Sequence, residues 1–299
     1  MNQETSTQQS LARRLTDAIM VDASDAARAW LSSELDTLRQ PAASLELLGN
    51  DLAIAMPRAV RHFPETPVAI ELPLSGGVWK PSHWSSIDLA QILMVLAALT
   101  THAGTPGMTA TSIIEIACRY GDDRVRAAII KALYWLDDAG EMTLFAVDTG
   151  RTNSVQLFSA VALHNPYPAR HYSEPQFNQL VFKSLFMGLS IEHVLGLRAR
   201  HNTELMRMCT DYARELHAAG RPVPSSLWLA MDCTAMPRDL LELFLAAMTA
   251  ADAGQRYFTA RSLTWQINIP KPVREKAREQ LAVEPRARIR ELLAQVFAR

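Results

Sequence analysis

Two histidines, a carboxylate and an amide lie close together in the middle of the sequence. His164 and His171 precede Glu174, and Asn178 follows Glu174 after one helical turn. Imidazole, carboxylate and amide groups that converge can bind a divalent metal or transfer protons, so His171 and Glu174 are the candidate catalytic residues. A structural role is favoured, because a carboxylate in the first turn stabilises its own helix and the sequence has no HExxH or carboxylate-rich metal motif. Neither a metal nor a cofactor is predicted.

The backbone of this segment is predicted to form a rigid corner between two helices. Pro166 and Pro168 fix φ and end any helix that arrives from the N-terminal side. Each proline also pushes the residue before it, Asn165 or Tyr167, toward extended geometry. The run Ser173-Glu174-Pro175 then begins a new helix, with an N-cap residue and a proline in the first turn. Sites are often built on corners of this kind.

The elements that would position the corner are helices. Apolar residues recur at helical spacing within residues 10–39 and 43–63, with a kink expected at Pro57. From residue 85 onward the spacing predicts helices at 87–102, 109–119, 122–138, 140–148, 153–164, 175–187, 203–219, 224–233, 237–251, 255–265, 271–282 and 286–298. Short helices joined by short turns predict an all-α fold of stacked helix pairs, in a HEAT-like or an irregular α–α superhelical array.

One weak internal repeat supports stacking. A pattern of an apolar residue, an arginine and two further apolar residues at four-residue spacing begins at Val125, Val273 and Ile289. The first copy resembles the second helix of a HEAT repeat, whose apolar residues face the neighbouring unit. Any amphipathic helix has the same apolar spacing, so an irregular helical globule is the alternative.

The N-terminal part is less regular than the rest. Residues 64–84 form a long Pro/Gly-rich loop, and loops of this length often act as lids or binding segments. Its Trp79 and Trp84 are expected to be buried against the helical body. The predicted organisation is one continuous domain, in which N-terminal helices and this loop (1–84) pack on a helical array (85–299).

Composition and charge limit the classes of function. The formal net charge is −1, so no global basic field attracts nucleic acid or anionic lipid. The longest apolar run, residues 92–99, is far shorter than the roughly 20 residues of a membrane span and predicts a buried helix. The first ten residues are polar and show no secretory signal. Cys118, Cys209 and Cys233 lack metal-site spacing and fit buried positions in a reducing compartment. A soluble cytoplasmic protein without a membrane span is predicted.

Three cationic segments are further candidates for binding. Residues 271–299 carry eight basic and four acidic residues and can track a nucleic-acid backbone, although the interleaved glutamates favour a plain solvated face. The turn 197–202 is interpreted as a solvated basic loop that ends at the helix cap Asn202. Arg221, held between a glycine that ends a helix and a proline, can meet a carboxylate or phosphate through two hydrogen bonds.

Several short runs between residues 153 and 228 match a known pattern. The longest are Ala160-Val161-Ala162-Leu163-His164-Asn165-Pro166-Tyr167-Pro168-Ala169 and Phe177-Asn178-Gln179-Leu180-Val181-Phe182-Lys183-Ser184-Leu185-Phe186. Shorter runs follow at 208–213, 218–223 and 227–228. Together they resemble the EboA family, bacterial proteins encoded in a recurring gene cluster with small-molecule biosynthetic enzymes.

The resemblance adds candidate ligand-binding residues to the corner. The family pattern Asn-Pro-Tyr-Pro maps onto 165–168, and Asn-Gln-x-Val-x-Lys maps onto 178–183. Polar residues along a buried helix need partners, and a ligand can supply some of them. We therefore expect a polar pocket lined by Asn178, Gln179 and Lys183 and roofed by Tyr167. The remaining candidate ligand-binding residues are Asn165 and Arg221.

Three functions remain open at this point. The resemblance implies a non-catalytic accessory or scaffold protein in the biosynthesis or export of a small metabolite, with the enzymes of the same gene cluster as partners and a small molecule or isoprenoid as ligand. A UbiA-type prenyltransferase is among the enzymes that the resemblance implies. The first alternative is a pathway enzyme that uses the corner at residues 164–178. The second is a HEAT-like nucleic-acid-binding protein that uses the basic C-terminal helices.

Overall fold

The computed structural model describes residues 3–74, 77–81 and 83–298. Parts of the N-terminal, loop and C-terminal predictions fall on Met1, Asn2, Ser75, Gly76, Ser82 and Arg299, which lie outside the described residues. The fold is all-α apart from one small hairpin, which confirms the predicted fold class. The helices are α1 (Gln3–Asp22), α2 (Asp25–Leu38), α3 (Leu45–Arg58), α4 (Ser86–His102), α5 (Ala110–Tyr120), α6 (Asp123–Leu136), α7 (Thr143–Thr149), α8 (Val155–Ala162), α9 (Pro166–His171), α10 (Glu174–Phe186), α11 (Thr203–Ala218), α12 (Arg238–Ala247), α13 (Ala253–Leu263), α14 (Lys271–Val283) and α15 (Ala287–Phe297).

The chain separates into two compact units, and the division falls between Tyr167 and Pro168. We call the part before the division unit 1 and the part after it unit 2. The predicted single domain, its boundary at residue 84 and the HEAT-like order of the helices stay predictions. Across the described residues, each helix is too short or too polar to cross a bilayer.

Unit 1 is built around α4. This helix packs on α1, α2, α3, α5 and α6, and nearly all of its side chains are buried. The apolar run at 92–99 is therefore a buried helix, as its length predicted. Ser85 caps α4 in a capping box with Asp88, whose carboxylate also pairs with Lys131 of α6 at 3.0 Å.

The loop before α4 is held to unit 1 by aromatic packing. It contains the strands β1 (Leu72–Leu74) and β2 (Gly77–Trp79), which pair antiparallel. Trp84 is buried, and its ring lies 5.7 Å from that of Trp135 on α6. The Trp135 indole N–H donates to the carbonyl of Pro73 at 2.8 Å. The expected burial is confirmed for Trp84, whereas Trp79 is only half-buried, with its ring 5.4 Å from that of Trp135. The lid function of this loop stays a prediction.

Unit 2 is built around α13. This helix packs against a 3₁₀ helix at Ser225–Ala230 and against α15, and α14 also packs on α15. The apolar repeat positions at Val273 and Ile289 are buried there, which the amphipathic spacing of these helices required. Cys209 and Cys233 of unit 2, and Cys118 of unit 1, are buried and not in disulfides. Burial raises the pKa of each thiol to about 12, so none is a reactive thiolate near neutral pH.

The corner between α8 and α10 differs from the prediction in one respect, because it contains the short helix α9. Tyr167 is helical rather than extended. The reason is that Asn165 precedes a helix start: its side-chain oxygen accepts from the Tyr167 amide at 2.9 Å. Pro166 and Pro168 then occupy first-turn positions, where a helix leaves its N–H groups without backbone partners and proline loses nothing. The predicted N-cap Ser173 is confirmed, since it forms a capping box with Gln176 at the start of α10.

Candidate functional site

In unit 1 the predicted ligand residue Asn165 has protein partners for its whole amide. The side chain is buried, and its nitrogen donates to the carbonyls of Ile130 at 3.1 Å and Ala160 at 2.8 Å. Its oxygen accepts from the Tyr167 amide. Asn165 thereby joins α6, the end of α8 and the start of α9, and this network explains its burial without a ligand.

Tyr167, the predicted roof of a polar pocket, is also fully buried in unit 1. Its hydroxyl donates to the Asp137 carboxylate at 2.5 Å. The same carboxylate accepts from three consecutive backbone amides, those of Gly140, Glu141 and Met142, at 2.8–3.1 Å. Asp137 therefore organises the turn between α6 and α7, and Tyr167 completes its hydrogen bonding.

Unit 1 also contains a pair of imidazoles that contact each other. The Nε2 atoms of His164 and His83 lie 2.9 Å apart, so one ring donates to the other. His164 reaches this position from a backbone with φ of 53°, a conformation that non-glycine residues rarely adopt. The described residues contain no group of three or more His, Cys, Asp or Glu side chains that could hold a metal.

In unit 2 the predicted ligand residue Asn178 forms a reciprocal amide pair. Asn178 and Asn202 each donate to the other's side-chain oxygen, at 3.1 and 2.9 Å. The Asn202 oxygen also accepts from the amide of Leu205, which confirms Asn202 as the cap of α11. Asn178 is therefore placed to hold α10 against the N-terminus of α11.

This pairing predicts a loss of stability when Asn178 is removed. We expect Asn178→Ala to lower the free energy of unfolding by about 1–2 kcal/mol, because it leaves part of a buried amide without a partner. Urea unfolding of the full chain measures the loss, and the exposed neighbour change Gln179→Ala is the control. Since both residues of the pair share one interaction, the double change with Asn202→Ala should cost less than the sum of the single changes. An additive double variant would contradict the pairing.

The other predicted site residues of unit 2 lie in separate surroundings. His171 is half-buried at the end of α9, and Glu174 is exposed in the first turn of α10. The Glu174 carboxylate makes no hydrogen bond or ion pair with a described residue, so it is not joined to His171 or Asn178. Lys183 is half-buried, and burial lowers its pKa. Their catalytic and ligand-binding roles stay predictions.

Arg221 is exposed and follows the C-terminus of α11. The amides of Gly220 and Arg221 bond back to His217 and Leu216, at 3.0 and 2.8 Å, with Gly220 at a φ of 67°. This is a Schellman motif, and it confirms the predicted role of the glycine. The Arg221 guanidinium has no ion-pair partner among the described residues, whereas the backbone of this turn is fixed by the two hydrogen bonds.

The basic C-terminal helices are partly neutralised by their own glutamates. Lys271, Lys276 and Arg288 form ion pairs with Glu275, Glu279 and Glu291, at 3.7, 3.2 and 3.3 Å. Arg290 donates to two backbone carbonyls instead. Three of the eight basic residues thus form ion pairs within the segment, which keeps a formal surplus of four positive charges.

A cavity of about 350 Å³ lies in unit 2. Three segments that are distant in sequence form its wall: the turn before α11, the chain around the end of the 3₁₀ helix at Ser225–Ala230, and the end of α13 with the residues that follow. The lining residues are Arg198, His201, Leu229, Met231, Asp232, Thr234, Ser262, Trp265, Gln266, Ile267 and Asn268. We call this space the unit 2 cavity.

Arg200 fixes the turn that carries Arg198 and His201. Its guanidinium donates to the carbonyls of Pro168, Ala169 and Tyr172 at 2.6–3.2 Å and lies 4.4 Å from the centre of the Phe177 ring. Burial lowers the pKa of this guanidinium, and the charge of Glu174 opposes that shift. The turn expected to be a solvated basic loop is therefore anchored on one side and lines a cavity on the other.

Two hydrogen-bonding side chains hold the walls of the unit 2 cavity together. His201 Nε2 donates to the carbonyl of Ala230 at 2.8 Å. Gln266 accepts from the amide of Cys233 at 2.9 Å and donates to the carbonyl of Met231 at 3.3 Å. The extended chain after residue 230 is thus tied both to the turn before α11 and to the end of α13.

The unit 2 cavity presents opposite charges on an apolar wall. Arg198 is exposed and has no ion-pair or hydrogen-bond partner among the described residues. Asp232 uses one carboxylate oxygen for the amide and hydroxyl of Thr234, at 2.8 and 2.7 Å, and its second oxygen makes no such bond. Trp265 and Ile267 contribute apolar surface. Such a site can bind a small molecule that has both polar and apolar parts.

A second cavity, of about 570 Å³, lies in unit 1 beside α5, α6 and α7. Two of its charged side chains are already engaged. Arg126 donates to the carbonyl of Cys118 at 2.9 Å, and Asp148 pairs with Arg151 at 3.2 Å. We therefore take the unit 2 cavity as the candidate functional site.

Sequence reasoning missed the unit 2 cavity because no local pattern marks it. Arg198 and His201 lie in a turn whose composition is typical of a solvated loop, and Trp265 follows an ordinary amphipathic helix. The only signal was the basic turn itself, next to a capped helix N-terminus.

Comparison with known proteins identifies a family. The family profile described as "Metabolite traffic protein EboA" matches residues 12–232. The matched segment includes the cavity wall from Arg198 to Asp232, whereas the wall from Ser262 to Asn268 lies beyond it. Searches of curated proteins and of solved structures found no match. Because the profile spans more than half of the 299 residues, the chain belongs to the EboA family, whose members are described as metabolite traffic proteins.

Proposed function

We propose that this protein is a non-catalytic accessory protein of metabolite traffic that binds a small molecule in the unit 2 cavity. The observation that carries the proposal is the combination of two opposite charges, Arg198 and Asp232, which form no ion pair with a described residue, with the apolar surface of Trp265. The volume of about 350 Å³ falls at the lower end of the range for small-molecule sites. A carrier needs such a site but needs no reactive group.

The surroundings of the central corner support a non-catalytic role. Within unit 1, Asn165 and Tyr167 are engaged in hydrogen bonds that hold helices together. Within unit 2, the Asn178 amide is engaged with Asn202. These engaged groups are poorly placed to bind a substrate, and the candidate catalytic carboxylate of Glu174 is exposed and not joined to Asn178. A pathway enzyme that uses this corner is therefore the weaker alternative.

The partners in this proposal are the enzymes of the same gene cluster, which supply or receive the bound molecule. An isoprenoid-bearing metabolite is one candidate cargo, because the resemblance implies a prenyltransferase among these enzymes. The net charge of −1 and the glutamates interleaved within 271–299, three of which form ion pairs there, argue against a nucleic-acid partner. A cytoplasmic location is part of the proposal, since three buried cysteines outside disulfides suit a reducing compartment.

The test is to purify the protein from its own host under native conditions and to identify small molecules released by denaturation. We expect one organic molecule to be retained by the wild type and by Arg274→Gln, and to be lost from Arg198→Gln. Both arginines are exposed residues of unit 2 without ion pairs among the described residues, so the two substitutions are matched in their effect on folding. Only Arg198 lines the cavity.

Two results would overturn the proposal. One is a protein from which no organic molecule is released. The other is equal retention by Arg198→Gln and Arg274→Gln, which would place the bound molecule elsewhere.

A further inference from the structure

We infer that the ligand of the unit 2 cavity is a small amphoteric molecule, with a carboxylate and an amine on an apolar body, as in an apolar amino acid or a derivative that keeps both groups. This inference rests on the proposed function and specifies the chemical class of the cargo. It follows from the charges that the cavity presents and from the hydrogen bonds that are already made around them.

The cavity offers one cationic group for an anion. The Arg198 guanidinium lines it and makes no ion pair with Asp232 or with any other described residue. A guanidinium is planar and always charged, and it binds a carboxylate through two parallel hydrogen bonds. A ligand without an anionic group would leave this cation unpaired when it displaces water from the cavity.

The cavity also offers acceptors for a donor group. The second carboxylate oxygen of Asp232 makes no hydrogen bond with a described residue, while the first is occupied by Thr234. His201 bonds through Nε2 to a backbone carbonyl, which can only accept, so Nε2 carries the proton. In the neutral ring the Nδ1 atom is therefore also an acceptor. An amine on the ligand can donate hydrogen bonds to these acceptors, whereas a second anionic group would be repelled by the charge of Asp232.

The remaining wall selects an apolar body. Leu229, Met231, Trp265 and Ile267 line the cavity. Arg261 lies over the Trp265 ring at 5.7 Å and pairs with Glu192 at 3.4 Å. Since neither Arg261 nor Glu192 lines the cavity, these contacts position the ring without occupying the cavity. An aliphatic or aromatic side group on the ligand removes this surface from water.

Three probes that share one apolar group separate the charges. L-Phenylalanine carries both charges, 3-phenylpropionate carries only the carboxylate, and phenethylamine carries only the amine. In calorimetric titrations of the full chain we expect phenylalanine to bind at least about tenfold more tightly than either single-charge probe, which corresponds to one additional charged hydrogen bond. A preference for 3-phenylpropionate or phenethylamine over phenylalanine, or no binding of phenylalanine at millimolar concentration, would overturn the inference.

Two substitutions assign the charges to their residues. Asp232→Asn should weaken the binding of phenylalanine by about tenfold, because it removes the negative charge that pairs with the amine and keeps the shape of the side chain. The binding of 3-phenylpropionate should be unchanged or tighter. Arg198→Gln should weaken the binding of phenylalanine and 3-phenylpropionate but leave the binding of phenethylamine unchanged. Equal effects on all three probes would contradict the assignment.

The identity of the retained host molecule separates this inference from the proposed function. A retained molecule that lacks an amine or a carboxylate would overturn the ligand class, while the carrier role would stand. If no host molecule is retained but phenylalanine binds with the expected pattern, the ligand class stands and the carrier role is wrong.

Discussion

Asp137→Ala is expected to destabilise unit 1 by about 3 kcal/mol or more. The Asp137 carboxylate is buried, with 4% of the residue exposed, and it accepts from three backbone amides and the Tyr167 hydroxyl. Alanine leaves these donors without this partner, and two of them, the Met142 amide and the Tyr167 hydroxyl, are buried. Each buried donor left unsatisfied costs about 1–3 kcal/mol, although relaxation of the turn recovers part of this loss.

Hydrogen exchange measures this effect where it arises. Protection of the amides in α6 and α7 should fall in Asp137→Ala, together with the urea midpoint of the full chain. The control is Asp148→Ala, since Asp148 is exposed and makes only an exposed pair with Arg151; its effect should stay within about 0.5 kcal/mol. Similar losses in the two variants would contradict the role given to Asp137.

Tyr167→Phe distinguishes a structural tyrosine from one that covers a ligand. It removes one donor and leaves the three backbone amides on Asp137, so it should cost about 1–2 kcal/mol. Because Tyr167 is engaged within unit 1, we expect the retained host molecule to be unchanged in this variant. Loss of that molecule from a stable Tyr167→Phe protein would instead support the predicted pocket, in which Tyr167 covers the ligand.

Helix positions could be predicted from the sequence because their signals are local. Ser173 and Asn202 precede apolar-periodic runs and act as caps, and Gly220 ends α11 in the left-handed conformation that only glycine adopts freely. The helix α9 was missed because proline was taken only as a terminator. Asn165 before Pro166 also marks a helix start, and a single sequence does not say which meaning applies until the amide partner of Asn165 is known.

The candidate site could not be predicted because it depends on tertiary structure. Asn178 and Lys183 carry the polar pattern expected of a pocket, yet the Asn178 amide is used by Asn202, which lies 24 positions later. Conversely, Arg198, Asp232 and Trp265 show nothing unusual in sequence, and only the fold of unit 2 brings them to one cavity. Charge patterns identify which residues are polar, but their partners decide which polar groups remain available.

The other large effect is expected at the ion pair between Arg256 of α13 and Glu284, which follows α14. The Glu284 side chain is fully buried and that of Arg256 is 11% exposed, with the charges 2.8 Å apart. Gln280 also donates to Glu284, and Arg256 donates to the carbonyls of Ala250 and Ala251. Glu284→Gln keeps the shape but leaves a buried guanidinium without its counter-charge, so we expect a loss of about 3–5 kcal/mol.

The exposed pair of Arg288 and Glu291 provides the matched control. Glu291→Gln removes the same charge type from a solvated pair at 3.3 Å, and it should cost less than about 1 kcal/mol. Replacing both Arg256 and Glu284 by methionine should recover much of the loss, because no buried charge is then left unpaired. Equal destabilisation by Glu284→Gln and Glu291→Gln would show that breaking the buried pair costs no more stability than breaking an exposed one.

The same pair predicts how the stability of unit 2 depends on pH. Burial alone would raise the pKa of Glu284, but the hydrogen bonds from Arg256, Gln280 and the Arg286 amide outweigh burial and lower it below the ordinary value of 4.5. A carboxyl whose pKa is lower in the folded state contributes stability that is fully present above the unfolded pKa and is lost as the pH falls through the folded pKa. The stability difference between wild type and Glu284→Gln should therefore be constant near neutral pH and shrink below about pH 4.5. A difference that grows on acidification would mean that Glu284 is protonated in the folded protein, and the ion pair would then be wrong.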